Sequence, residues 1–283
     1  MSAQPASSSH ASKLAKLRQI LRDMQSVLVC YSGGIDSALV LAVAHEQLGT
    51  RAIGLTAVSP SLPASERDGA TRTAQAIGAR HHFVSSRELE RPGYVQNGPD
   101  RCFHCKSELY SIAEQKLRDW ELSEMVNGAN LDDLGDYRPG LEAAREARVR
   151  SPLIEAGFSK VDVRSAAREL GLEIWDKPAA ACLSSRIPYG SHVTEERLAQ
   201  IGGFEAALRA LGFQHVRVRW HETIARIEVD VAELPKLIES GVREQIVASG
   251  KRFGFAYVTL DLAGYRQGSH NELLGGKALR VIS

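Results

Sequence analysis

A chain of 283 residues, 43% hydrophobic and 24% charged, has room for one large domain or two smaller ones with proper cores. A net charge of +1 argues against a broad basic surface for nucleic acid, and no apolar run is long enough to span a bilayer. Four cysteines are too few for a disulfide framework at this size, so a reducing cytoplasm is the expected setting, where a close cysteine pair binds metal or does redox work.

Met1 to Ser12 is polar and serine-rich, lacks the apolar core of a signal peptide, and reads as a disordered tail. Lys13 to Arg22 is expected as a helix, with Leu14, Leu17, Ile20 and Leu21 on one stripe. Val27 to Tyr31 is a first strand, and Ala38 to Leu48 the helix behind it, closed by Gly49. Next come a strand over Arg51 to Val58, a helix over Ser65 to Ile77 ending at Gly78, and a strand over His81 to Val84. Cys105 to Trp120 reads as helix, Ser123 to Asn127 as strand and Val161 to Leu170 as helix. Strands alternating with helices predict an α/β fold, a parallel sheet wrapped by helices on both faces.

The pattern changes near residue 190. After a helix over Glu195 to Leu211, Val216, Val218 and Trp220 alternate with Arg217, Arg219 and His221. Ala225, Ile227 and Val229 then alternate with Arg226, Glu228 and Asp230, which predicts a hairpin with one apolar and one charged face. A helix over Val231 to Glu239 and a strand over Phe255 to Asp261 complete a small α+β unit. The expected organisation is therefore a tail (1–12), a nucleotide-binding domain (13–190) and a small C-terminal domain (191–283).

Between the first strand and its helix lies Ser32-Gly33-Gly34-Ile35-Asp36-Ser37. Glycines let the backbone bend tightly and approach an anion, and the positive end of the following helix points at the same spot. No Gly-Lys-Ser/Thr follows, so this is not a Walker loop. It resembles the Ser-Gly-Gly-x-Asp-Ser loop of the ATP pyrophosphatases, which grip the far phosphates of ATP. On that reading Ser32, Gly33, Gly34 and Ser37 hold pyrophosphate, and Asp36 serves a Mg²⁺ ion. Gly54 to Thr56 on the second strand lie where adenine would rest. Asn127-Gly128-Ala129-Asn130-Leu131-Asp132-Asp133 resembles the superfamily's second nucleotide segment, with Gly128 for close approach and Asp132 or Asp133 for metal or ribose.

Cys102-Phe103-His104-Cys105 stands at a helix start, and Cys182 lies alone in Pro178-Ala179-Ala180-Ala181-Cys182-Leu183-Ser184-Ser185-Arg186. Three thiols suit a 4Fe-4S cluster with one iron left without a protein ligand; zinc and a redox dithiol are the other readings. Cys30 alternates into an apolar strand and reads as a core residue, and His81 and His82 as a solvated or satisfied pair. Ser184, Ser185 and Arg186 are candidates for a substrate pocket. Arg217, Arg219 and Arg226 either make cross-strand pairs in water or help to bind a phosphate-bearing substrate.

Taken together, the loop, the CxxC pair and the stretch Ala181 to Gly190 resemble the LarE family, over about residues 13 to 275. That family makes the nickel-pincer cofactor of lactate racemase. The resemblance implies an adenine nucleotide α-hydrolase-like fold and an ATP-dependent sulfur transferase. It would adenylate a carboxylate of pyridinium-3,5-biscarboxylic acid mononucleotide, release pyrophosphate and replace AMP with sulfur. Members with only the cysteine matching Cys182 give up its sulfur; others carry two more cysteines and use an iron–sulfur cluster. With Cys102 and Cys105 this chain resembles the second type, sacrificial donation of the Cys182 sulfur being the alternative, so Cys102, Cys105 and Cys182 are the implied cluster ligands, with Asp36 and Cys182 catalytic. The resemblance also implies a homo-oligomer acting on a small nucleotide-like molecule, with no nucleic acid or membrane partner. A tRNA-thiolating enzyme can share the loop and three cysteines but usually adds a basic surface or RNA-binding module. An amide-forming ligase would need no cysteines, and a nucleotide-binding regulator would need neither Asp36 nor Ser37.

Overall fold

The structure, a computed structural model, describes residues 6–135, 139–178 and 181–266. Outside them lie residues 1–5 of the expected tail, Ala179 and Ala180 before the lone cysteine, and 267–283 of the expected C-terminal domain. In chain order the first elements are α1 (Ala6–Asp23), β1 (Val27–Cys30), α2 (Ile35–Leu48), β2 (Ala52–Val58), α3 (Ala64–Ile77) and β3 (Arg80–Ser85). Then follow α4 (Pro92–Val95), α5 (Arg101–Asp119), β4 (Glu124–Val126), α6 (Pro139–Glu146), α7 (Pro152–Ala156) and α8 (Lys160–Glu169). The last are α9 (Glu195–Ala210), β5 (Arg217–His221), β6 (Ile224–Glu228), α10 (Leu234–Ile238), α11 (Val242–Arg252) and β7 (Tyr257–Leu260). The first helix thus begins inside the segment expected as a tail.

Two compact units result, one of Met1–Glu88 with Cys102–Ala180 and one of Leu89–Arg101 with Ala181–Ser283. The first is built on a four-stranded sheet in the order β3-β2-β1-β4, every pair parallel. Alternation along β1 sends Val27 and Val29 into a core with Leu14, Leu17 and Leu21 of α1, Leu39 of α2 and Val163 of α8. Leu28 and Cys30 point the other way, against Leu109, Tyr110 and Ala113 of α5 and Ala143 and Ala144 of α6. A strand covered on both faces must be apolar at every position, and Val27–Cys30 is. Burial pushes the Cys30 thiol up to about 12, so it is an inert core group.

The chain runs from β1 outward to β2 and β3, then returns to place β4 on the other side of β1. The β1/β4 border is therefore the switch point of the sheet, where loops diverge and leave a crevice at the carboxyl edge. The loops after β1 and after β4 are the two that the sequence singles out.

In the second unit, β5 and β6 form the expected hairpin with Arg217 opposite Glu228 and Arg219 opposite Arg226. After α10 and α11 the chain returns as β7, parallel to β6. The helix expected over 231–239 is broken into a 3-10 turn and α10, with Pro235 in the first turn of α10. Glu228 (1% exposed) and Arg219 (7%) are buried, so the charged face is not simply wet.

Candidate active site at the β1/β4 switch point

Beyond β1, the Tyr31 N–H still donates to the Leu55 carbonyl at 2.9 Å, which keeps the chain on β2 for one more residue. The buried Thr56 hydroxyl donates to the Tyr31 carbonyl at 2.6 Å and pairs with His81 Nε2 at 2.8 Å. Thr56 thus braces the loop, and its side chain is already committed. Gly33 sits at φ +74°, and a Cβ there would come 2.9 Å from the Ala70 Cβ of α3, so no side chain fits. Gly34 caps α2 with no side chain to close the helix end, the arrangement an anion cradle requires.

Ser37 ties the turn together. Its Oγ accepts from the Ser32 N–H at 3.1 Å, donates to the Gly34 carbonyl at 3.1 Å and lies 3.0 Å from Ser32 Oγ. The loop after β4 presses against the same helix end. A Cβ on Gly128 would fall 2.5 Å from the Ser37 nitrogen and 2.9 Å from the Asp36 carbonyl carbon. Only glycine permits that approach, and it fixes where the two loops meet.

Asp36 is received from two sides. Asn130 Nδ2 donates to its Oδ1 at 3.1 Å, and Lys160 Nζ from the start of α8 lies 2.5 Å from its Oδ2. Asp132 and Asp133 are engaged in shaping the loop: Asp133 accepts from the Asn130 N–H at 3.0 Å, and Asp132 accepts from the Lys160 N–H. A second lysine, Lys177, lies 2.8 Å from Glu66 and donates to the Gly33 carbonyl at 3.3 Å. Lys160 and Lys177 escaped the sequence reading, and Asn130 entered it only as a member of the second nucleotide segment, with no role of its own. The two lysines stand more than a hundred residues from the residues they meet in the first loop, and no local spacing signals them.

The thiols fall into both units. Cys102 and Cys105 lie one turn apart at the head of α5; Cys102 is exposed, and Cys105 donates its S–H to Glu88 Oε2 at 3.1 Å. Glu88 is buried and also accepts from Ser59 at 2.7 Å and Ser61 at 2.5 Å. Cys182 is exposed and starts the 3-10 turn Leu183–Arg186 of the second unit. Among the described residues no three His, Cys, Asp or Glu side chains gather as a metal-binding group. Cys102 and Cys105 thus belong to the first unit, with Cys105 turned to a carboxylate, and Cys182 belongs to the second. The thiols remain the right kind of donor for an iron–sulfur cluster.

Within the second unit the candidate pocket residues are occupied. Arg186 is buried and spans Glu205 at 2.9 and 3.4 Å. Arg219 forks onto Glu228 at 2.9 and 2.8 Å. Arg226 bridges Glu228 and Asp261 at 3.2 Å each, and Arg217 lies over the Tyr265 ring, 5.3 Å from its centre. Ser184 is buried with its Oγ 2.5 Å from the Tyr94 hydroxyl, and the half-buried Ser185 donates its hydroxyl to the Cys182 carbonyl at 2.8 Å.

A family model described as asparagine synthase matches residues 16–94, the span of the first loop and its flanking strands and helices. The chain is 44% identical over 263 residues to an uncharacterized protein of Synechocystis sp., covering 93% of this chain and 98% of that one. It is 39% identical over 265 residues to pyridinium-3,5-bisthiocarboxylic acid mononucleotide synthase of Lactiplantibacillus plantarum, covering 93% of this chain and 95% of that one. The chain belongs to the LarE family. A shorter match, 36% identity over 69 residues, reaches 7-cyano-7-deazaguanine synthase of Azoarcus sp., covering 24% of this chain and 30% of that one.

As a LarE-family member the chain is an ATP-using sulfurtransferase of the PP-loop class, for which ATP and Mg²⁺ are the expected partners. The residues fit both. A side-chain-free helix end with Lys160 and Lys177 beside it suits a polyphosphate, and Asp36 offers one carboxylate of the kind Mg²⁺ takes together with phosphate oxygens. No helix among the described residues is long and apolar enough to cross a membrane.

Proposed function

We propose that this LarE-family chain adenylates a carboxylate of pyridinium-3,5-biscarboxylic acid mononucleotide and converts it to a thiocarboxylate, two rounds giving the dithio product. The observation that carries this reading is the near full-length identity to a synthase of the bisthiocarboxylic mononucleotide. A carboxylate is a poor electrophile until one oxygen becomes a good leaving group. In the first step a carboxylate oxygen bonds to the α-phosphorus of ATP, and the bond to the β-phosphate oxygen breaks to release pyrophosphate. In the second, a sulfur nucleophile forms a C–S bond while the C–O bond to phosphate breaks, and AMP leaves with the electron pair.

The backbone of Ser32, Gly33 and Gly34 and the hydroxyl of Ser37 hold the departing pyrophosphate in this scheme, with Lys160 and Lys177 offsetting its charge. Asp36 would hold Mg²⁺, and Gly128 sets the helix end where the α-phosphate must lie. Cys102, Cys105 and Cys182 would hold a 4Fe-4S cluster, which when bound supplies hydrosulfide at an iron without a protein ligand.

Asp36→Asn keeps the shape of the side chain and its bond to Asn130 but weakens the metal site. Pyrophosphate release is expected to fall on the order of 10²-fold with the melting temperature little changed. Wild-type turnover in that variant would remove the metal role. The test of the whole reading is anaerobic purification, then iron, sulfide and zinc analysis and polypeptide mass after turnover with ATP and the pyridinium mononucleotide. The expected result is about four irons per chain and an unchanged mass. Cys102→Ala or Cys105→Ala should then lose iron yet still release pyrophosphate. No iron, with one H₂S lost from the Cys182 peptide, would replace the cluster with sacrifice of Cys182. Tight tRNA binding that weakens steeply with salt would replace the substrate.

A further inference from the structure

The segment that carries Cys182 is tied down by its carbonyl groups, and three buried guanidiniums do the tying. Arg186 Nη1 donates to the Ala181 and Cys182 carbonyls at 2.8 and 2.9 Å. Arg101 Nη1 donates to the Ser184 carbonyl at 2.9 Å, and Arg219 Nη1 to the Ser185 carbonyl at 2.9 Å. Each guanidinium is itself held: Arg186 by Glu205, Arg219 by Glu228 and Arg101 by the Asn97 side-chain oxygen. Asn97 in turn donates to the Ile187, Pro188 and Ser191 carbonyls at 3.2, 2.8 and 3.0 Å, which extends the restraint past the turn.

We propose that Arg186, Arg219 and Arg101 are positioning residues that fix the backbone presenting Cys182, rather than ligands of a substrate phosphate. The proposal rests on the reading above, in which Cys182 serves sulfur transfer. Cys182 is exposed, whereas Arg101, Arg186 and Arg219 are 4%, 2% and 7% exposed. An exposed thiol thus stands on a buried, hydrogen-bonded base. A guanidinium can do this because its five N–H groups leave in a rigid plane and meet a carboxylate on one edge and carbonyls on another. The Arg186 donors named above are spent on Glu205 and on backbone, and phosphate could reach them only by breaking those bonds. Holding a nucleophile or ligand within a fraction of an ångström is what sets the rate of a transfer step.

The deciding measurement is the ratio of thiocarboxylate formed to pyrophosphate released, in full-length Arg186→Lys and Arg219→Lys. Lysine keeps the charge opposite Glu205 or Glu228 but cannot span carboxylate and carbonyls together. The expected ratio falls ~10- to 100-fold, while KM for the mononucleotide, read from pyrophosphate release, moves about twofold or less. Iodoacetamide labelling of Cys182, followed on its peptide, should change rate in the same variants. A KM raised about tenfold with the ratio intact would mean that these arginines bind substrate and would overturn the proposal, as would both quantities staying at wild-type values. Should Arg186→Lys fail to fold, Arg219→Lys decides by the same criteria. Cys182→Ala in the same assay separates the two levels: full coupling there sinks the role of Cys182 itself, whatever the lysine variants do.

Discussion

Gly128→Ala should nearly abolish ATP use in a chain that still folds. The added methyl would lie 2.5 Å from the Ser37 nitrogen, 2.8 Å from its Cα and 2.9 Å from the Asp36 carbonyl carbon. All three are backbone atoms, so no side chain can swing aside and either the β4 loop or the head of α2 must move. Such overpacking costs about 1–3 kcal/mol, tolerable for a unit with a core on both sheet faces. The same displacement falls on the turn where pyrophosphate is held. A shift of about 1 Å in a positioning element can cost on the order of 10²-fold in rate. Pyrophosphate release should fall by about that factor while the melting temperature drops only a few degrees. Gly135→Ala is the matched control, because a Cβ there meets nothing within 4 Å among the described residues. If Gly128→Ala turned over at the wild-type rate, the contact between the two loops would have no catalytic meaning.

That contact also shows what a sequence can and cannot announce. The Ser-Gly-Gly turn is local: strand, glycines and helix start lie within eleven residues, Val27 to Ser37, and their chemistry is legible without a fold. That the sheet is parallel and covered on both faces follows from the alternation of strand and helix and from the apolar run of β1, whereas the order of its strands does not. What joins Asp36 to Asn130 and Lys160 is the return of the chain to β4, and a lysine at a helix start reads as solvated surface until topology brings it to a carboxylate. The helix α11 is hidden for a different reason. Only Ile246 and Gly250 of Val242–Arg252 are buried, too few for a 3.6-residue stripe. The hairpin misleads in a third way, since Arg and Glu in alternation usually mark a wet face. Here Glu228 collects both Arg219 and Arg226, and pairing of that kind lets charge be buried.

Arg186→Ala should be the most destabilising single change considered for the second unit. Arg186 and Glu205 side chains are 1% and 0% exposed, and removing one partner of such a pair leaves an uncompensated charge, at a cost of about 3–5 kcal/mol. Arg209 still reaches Glu205 at 2.7 Å, and the carboxylate also accepts the Val218 N–H at 3.1 Å, which argues for the lower end. Burial pushes the Glu205 carboxyl up, but Arg186, Arg209 and Arg217 more than offset it and hold it below its ordinary value. The sign follows. The pair stabilises the fold above the unfolded carboxyl value of about 4.3, and that contribution is lost as pH falls through the lower folded value. Urea melts should show the full deficit of Arg186→Ala at pH 7 and a shrinking one at pH 4 and below; a deficit independent of pH would mean that lost packing, not charge, is responsible. An apolar replacement of both partners, Arg186→Met with Glu205→Leu, removes the unpaired charge and should recover most of the stability. It restores no donor to the Ala181 and Cys182 carbonyls, so sulfur transfer should stay poor in a chain that melts almost normally. Stability and coupling would then part company, which is the behaviour of a pair whose work is to hold Cys182 in place.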